Sequence, residues 1–122
     1  MALTEKYAGT TLRFGSVALK NSLGSPILLS SFDNIFVEVY TYTSNIVKFS
    51  LIEKDGYNPL TQLTTNSFTF AVLSEKTKLF RGECFMEIKG VKDDKIVLLE
   101  NNGIDKISTG INFLDNNIKN AK

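Results

Sequence analysis

Apolar and polar residues alternate along most of this sequence in short runs, and this feature constrains the fold more than any other. The clearest run covers residues 35–42, in which Ile35, Val37, Val39 and Thr41 fall on one side of the chain. A period of two places successive side chains on opposite faces of a β-strand. Similar runs occupy residues 10–19, 46–52, 67–73, 83–89, 96–100 and 104–108. The pattern therefore predicts about seven strands.

Turn-forming residues separate these runs and leave little room for helix. Asn, Gly and Pro fill residues 20–26, residues 43–45 suit a hairpin turn, and residues 92–95 form a polar turn. Residues 74–80 alone carry a helix-start signature, with Ser74 as the N-cap, and they are too short for more than one helical turn. We therefore predict an all-β fold, specifically an antiparallel immunoglobulin-like β-sandwich, with a β-barrel as the main alternative.

The length of 122 residues corresponds to a single domain. The alternating runs place its core at about residues 9–110, including a buried strand at 96–100. Residues 1–8 and 112–122 lie outside these runs, and the second of these segments is rich in Asn and Lys. We predict that both are flexible termini that become ordered only against a partner.

The composition argues against the commonest kinds of catalytic and metal chemistry. The chain has no His, the commonest general base and metal ligand, and its single Cys, Cys84, excludes an internal disulfide. Cys84 alternates with Met86 and Ile88, so we predict a buried structural thiol. These observations predict a protein that is not an enzyme and that has no cofactor, no metal site and no small-molecule substrate.

Charge and hydropathy narrow the classes of partner. The net charge is +1 and the basic residues are dispersed along the chain, which predicts no nucleic-acid partner. No apolar run approaches the roughly 18 residues of a membrane span, and the first residues lack the apolar run of a signal peptide. These observations therefore favour contact with other proteins as the function.

One row of aromatic residues is a candidate contact surface. If Val37 and Val39 face the core, then Phe36, Tyr40 and Tyr42 line the other side of the same strand. Exposed aromatic residues in a row are typical of protein contact surfaces and of platforms that bind sugars. The alternative is that a second layer or a loop covers them, or that the strand faces the other way.

Two longer segments resemble a known family. Residues 21–30 read N-S-L-G-S-P-I-L-L-S and lead into the alternating strand at 35–39, and residues 77–88 read T-K-L-F-R-G-E-C-F-M-E-I. In this order they resemble the immunoglobulin-like N-terminal domain of phage baseplate upper proteins and related phage tail and capsid modules, over about residues 9–110. The sequence departs from that pattern at Cys84, which takes the place of an aromatic residue, while Phe85 follows one position later.

The resemblance implies a phage virion component, such as a tail, baseplate or capsid-associated subunit, that docks on other phage structural proteins without catalysis. It further implies a homo- or hetero-oligomeric assembly and a location in the virion, after assembly in the host cytoplasm. The family has no short functional motif, so no site residue is transferred to this chain. The alternative function is a carbohydrate- or host-surface-binding module, and a third is a small intracellular regulator.

Overall fold

The computed structural model describes residues 3–21, 23–44, 46–98 and 107–115, and these form nine strands and two short helical turns. In chain order the elements are β1 (Thr4–Tyr7), β2 (Leu12–Ala18), a 3₁₀ turn (Leu29–Ser31), β3 (Asn34–Tyr40), β4 (Val47–Ser50), β5 (Asn58–Pro59), β6 (Ser67–Val72), α1 (Ser74–Thr77), β7 (Gly82–Lys92), β8 (Lys95–Leu98) and β9 (Ile107–Leu114). The prediction of an all-β fold is confirmed, whereas these residues form two short helical turns instead of the predicted one at most.

A large sheet has the strand order β1-β9-β7-β3-β4-β5, and β8 pairs with the far end of β7. Its central strand β3 is antiparallel to both β4 and β7. The pairs β1–β9 and β4–β5 are parallel, so the sheet is mixed and the predicted wholly antiparallel arrangement is wrong. Alternation does not encode strand direction, and a parallel pair needs only a connection long enough to return the chain to the same end.

The second sheet contains only β2 and β6, which are antiparallel. Their register shifts between Phe14 and Val17, where Ser16 has a φ of 43°. Such a shift is a β-bulge, and Gly15 lies at the place where the pairing is interrupted. On the N-terminal side of the bulge, Phe14 is stacked on Phe70 of β6, with ring centroids 4.6 Å apart.

The core lies between the two sheets and is built from the inward side of each alternating run. Phe49 of β4 meets Phe70 of β6 with ring centroids 4.8 Å apart, which joins the two layers. The predicted inward residues of the runs at 35–41, 67–73 and 83–89 are buried: Ile35, Val37, Val39, Thr41, Phe68, Phe70, Val72, Cys84, Met86 and Ile88. Val47 and Phe49 of the 46–52 run are buried as well, whereas Leu51 is only partly buried.

The helical turn forms at the predicted place with a different start. Leu73, in an extended conformation, precedes the first helical residue, and no side chain caps this end. Ser74 therefore lies inside the helix, and its predicted N-cap role is wrong. Thr77 has the structural role, since its buried hydroxyl donates to the carbonyl of Thr10 at 2.8 Å and fastens the turn to the segment before β2.

Two further predictions differ from the structure. The strand at 96–100 was predicted to be buried, but Ile96 is 70% exposed because β8 lies at the margin of the sheet. Residues 99–100 of the predicted strand lie outside the described residues. The predicted flexible termini are partly ordered. Thr4–Tyr7 pairs with β9 as far as Leu114, and Phe113 is 2% exposed against Phe80.

Candidate contact surface on the outer face of the large sheet

The side of β3 and β7 that points away from the core forms a continuous surface. Phe36, Glu38 and Tyr40 of β3 lie directly opposite Lys89, Glu87 and Phe85 of β7, respectively. These six residues, called the outer face below, are all partly exposed, while the residues between them in the sequence are buried. The outer face therefore follows from the same alternation that builds the core.

An aromatic cluster occupies one end of the outer face. The ring of Phe85 lies 5.0 Å from the ring of Tyr42 and 6.2 Å from that of Tyr40, both in tilted orientations. Tyr42 follows the end of β3 and is 71% exposed. Tilted pairs at this distance are favourable, so Tyr42 packs against Phe85 while most of its ring faces the solvent.

Phe36 is separated from this cluster at the other end of the outer face. Its ring packs on Tyr57, which comes from the loop before β5, with centroids 5.2 Å apart. The ammonium group of Lys48 lies 5.5 Å from the centroid of the Tyr57 ring, within the range of a cation–π contact. Tyr57 thus covers part of Phe36 and reduces its availability to a partner.

An ion cluster lies between the two aromatic ends. Glu38 and Glu87 are directly opposite each other on neighbouring strands, an unfavourable arrangement for two like charges. Lys89 offsets their repulsion, because its Nζ lies 3.1 Å from Glu38 Oε1 and 3.3 Å from Glu87 Oε1. All three side chains are less than one-third exposed, so the contacts are only partly screened by solvent.

Tyr40 connects the ion cluster to the aromatic cluster. Its hydroxyl donates to Glu87 Oε2 at 2.6 Å. Burial, followed by this hydrogen bond and the charge of Glu87, raises the pKa of Tyr40 well above its ordinary value. Burial lowers the pKa of the Lys89 ammonium, but the hydrogen bonds and charges of Glu38 and Glu87 outweigh it and raise the pKa overall. Both raised pKa values keep Tyr40 and Lys89 protonated at neutral pH, so the hydrogen bond of Tyr40 and the ion pairs of Lys89 are present together.

The predicted contact residues are brought together only in part. Tyr40 and Tyr42 lie in one cluster, whereas Phe36 is beyond the ion cluster and under Tyr57. Phe85 is the residue that the predicted patch lacks. Its position opposite Tyr40 depends on the register between β3 and β7, which alternation within one strand cannot supply.

Cys84 lies on the opposite, inward side of β7 and is fully buried, as predicted. Burial raises the pKa of its thiol to about 11, against a smaller opposing effect from Thr109. Within residues 3–21, 23–44, 46–98 and 107–115, no group of three or more Cys, Asp or Glu side chains is arranged to hold a metal ion. The same part of the chain contains no helix with the length and apolar character needed to cross a bilayer.

Comparison with protein-family models, with curated proteins and with solved structures finds no match for this chain.

Proposed function

We propose that this chain is a non-enzymatic structural protein of a phage virion that docks on other structural proteins through the aromatic cluster of its outer face. The observation that carries the proposal is Tyr42, a large ring that is mostly exposed and yet held against Phe85. Such rings lose little conformational entropy on binding and are enriched at the centre of protein interfaces.

The ion cluster beside these rings supports the same function. Lys89 contacts both Glu38 and Glu87 within the chain, so the two carboxylates already share a counter-charge before a partner contacts the aromatic rings beside them. In a virion, many copies of one weak contact act together, and avidity increases the overall strength of binding.

We further propose that the fold is an immunoglobulin-like sandwich. The order β9-β7-β3-β4 in one layer, with β2 paired to β6 in the other, corresponds to strands G, F, C and C′ facing strands B and E of that fold. The contact between Phe49 and Phe70 across the layers supports the sandwich. The outer face would then be the exposed side of the sheet formed by G, F, C and C′.

The virion proposal is tested by quantitative mass spectrometry of density-purified particles from the source of this sequence. We expect the chain to be present in a fixed ratio to the major capsid protein. Absence from particles, together with abundance in the lysate, would overturn the proposal and favour a regulator or assembly factor.

The docking surface is tested separately by incorporation of tagged copies into particles during infection. Tyr42→Ser is expected to reduce incorporation, because it removes the exposed ring. Leu23→Ser is the matched control, since Leu23 is also a highly exposed apolar residue but lies in the loop that follows β2. Equal incorporation of the two variants would contradict the assignment of the aromatic cluster.

A carbohydrate-binding function is the second candidate, because an exposed Tyr42 ring beside the hydroxyl of Tyr40 and the carboxylate of Glu87 is also suited to a sugar. A glycan array distinguishes the two. Binding of a defined glycan that Tyr42→Ser abolishes, with normal incorporation into particles, would favour this second function.

A further inference from the structure

A cleft opens between the two sheets where β4 and β6 approach each other. Its floor contains the buried residues Val47, Phe49 and Phe70, and its volume is about 290 Å³. One end is closed by residues 58–61, which cross from the large sheet to the small one, and the other by α1. We call this space the β4–β6 cleft.

Residues 58–61 act as a very short strand between the two sheets. Asn58 and Pro59 pair with Phe49 and Ser50 of β4, and Thr61 then pairs with Thr69 of β6. No other strand formed by the described residues pairs with these two edges. Beyond the short crossing, residues 47–48 of β4 and residues 71–72 of β6 therefore lie at open edges of their sheets, beside the cleft.

The hydrogen bonds at this edge of β4 show which backbone groups point into the cleft. Ser50 accepts a hydrogen bond from the backbone N–H of Leu60 at 3.1 Å, on the side away from β3. Backbone groups alternate in direction along a strand, so the N–H and carbonyl of Lys48 point to the same side as the carbonyl of Ser50. Its carbonyl accepts from Asn58 Nδ2 at 3.1 Å, and its N–H lies on the same side, toward the depression that adjoins the cleft and that Lys48 lines.

The edge of β6 follows the same rule. Thr69 exchanges both of its backbone hydrogen bonds with Thr61, at 2.7 and 2.9 Å, on the side away from β2. Two residues later, Ala71 directs its N–H and its carbonyl to this same side. The backbone N–H and carbonyl groups of Phe70 and Val72 point toward β2, where these residues lie opposite Phe14 and Leu12. Ala71 thus offers the cleft one donor and one acceptor.

Apolar side chains surround these backbone groups. Leu73 lines the cleft itself, and Ile46 and Leu79 line an adjoining depression of about 250 Å³; all three are exposed. The charges on the rim are mixed, with Lys48, Lys76 and Glu75 all contributing. An apolar floor between two edges with available backbone groups is complementary to an extended polypeptide.

We propose that the β4–β6 cleft binds a short extended segment of a partner protein by strand addition. The segment would receive a hydrogen bond from Lys48 on one side and exchange hydrogen bonds with Ala71 on the other, and would place one apolar side chain over Phe49 and Phe70. Three residues of β4 span about 7 Å, so the site holds about three residues of the partner. This site is separate from the aromatic cluster and does not depend on the proposed virion function.

Hydrogen exchange measured by NMR on the unmodified chain tests the edge directly. We expect the amide of Ala71 to exchange much faster than those of Phe70 and Val72, which pair with β2. Equal protection of all three amides would mean that the β6 edge is already covered, and would overturn the proposal.

Binding is tested with short random peptides displayed on yeast and selected on the purified chain. We expect the selected peptides to carry an apolar residue with polar neighbours, and a synthetic copy to slow exchange of the Ala71 amide by about tenfold or more. Failure to select any peptide, or binding without a change at Ala71, would contradict the proposal.

Substitutions in this chain show where the selected peptide binds. Ala71→Pro removes the N–H that faces the cleft, at an edge position where proline is tolerated and no hydrogen bond to β2 is lost. Leu73→Glu places a charge on the apolar rim. Each is expected to weaken binding by about tenfold, the loss of one or two good contacts. Leu23→Ser, at an exposed loop position outside both surfaces, is the control and is expected to leave peptide binding unchanged. If Tyr42→Ser abolishes binding and Leu73→Glu does not, the peptide binds the aromatic cluster and the cleft proposal fails.

Discussion

The two faces of the β3–β7 pair differ completely although their residues alternate in the same two strands. The inner face carries Val37, Val39 and Ile88, which are buried, and its neighbours across the core are apolar. The outer face carries the ion cluster and the aromatic cluster, whose contacts lie within the face itself. Stability is therefore concentrated on one face, and the other is available for recognition at low energetic cost.

The largest effect is expected on the inner face. Ile88→Ala should lower the free energy of unfolding by about 2–5 kcal/mol, because it leaves a cavity in a packed core. Ile88→Val should cost only about 0.5–1.5 kcal/mol. Urea unfolding measures both. A loss for Ile88→Ala no larger than that of an outer-face variant would break the distinction between the two faces.

The ion cluster should give the next largest effect. Lys89→Met keeps the apolar stem of the side chain but leaves Glu38 and Glu87 facing each other, and should cost about 1–2 kcal/mol. Glu87→Gln in the Lys89→Met background should recover part of this loss, since it removes one of the two like charges. A double-mutant cycle by urea unfolding measures the coupling, and additive losses would show that the charges do not interact.

Tyr40 should make stability sensitive to alkaline pH. A raised pKa in the folded state means that Tyr40 contributes stability that is fully present below its ordinary value of 10.0 and is lost as the pH rises above it. Lys89, whose pKa is also raised, acts in the same direction above 10.5. Tyr40→Phe should therefore reduce the fall in urea midpoint between about pH 9 and about pH 11. An unchanged slope would contradict the assigned role of the Tyr40–Glu87 hydrogen bond.

The smallest change in stability is expected at the most exposed residue of the aromatic cluster. Tyr42→Ser should alter the free energy of unfolding by about 0.5 kcal/mol or less, as is usual for exposed positions. Thermal unfolding of the variant measures this. A loss comparable to that of Lys89→Met would show that the contact between Tyr42 and Phe85 is a structural one, and the proposed contact surface would lose its main residue.

The contrast between the faces also explains what could be predicted from the sequence. Alternation identifies the buried side of β3, β6 and β7, because burial of one face imposes the period of two. It does not give the partner strand, so the contact between Phe85 and Tyr40 and the opposition of Glu38 and Glu87 had no signal within either strand alone.

Burial at the margins of the large sheet is predicted less well from the sequence, for a related reason. Ile96 belongs to an alternating run, but β8 lies at the edge, where no layer covers the side chain. Phe113 is buried against Phe80 in a segment whose Asn and Lys content indicates a tail, and the strand that contains it pairs with both β1 and β7. Composition averages over a segment, whereas packing depends on single residues.

The parallel pairing of β1 with β9 has a consequence for the order of events during synthesis. Among the described strands, β1 is made first and β9 last, and β1 pairs only with β9. Thr4–Tyr7 therefore has no strand to pair with until β9 has been made. Contacts this distant along the chain form late and slowly, so the final step of folding should join the two ends of the domain at one margin of the sheet.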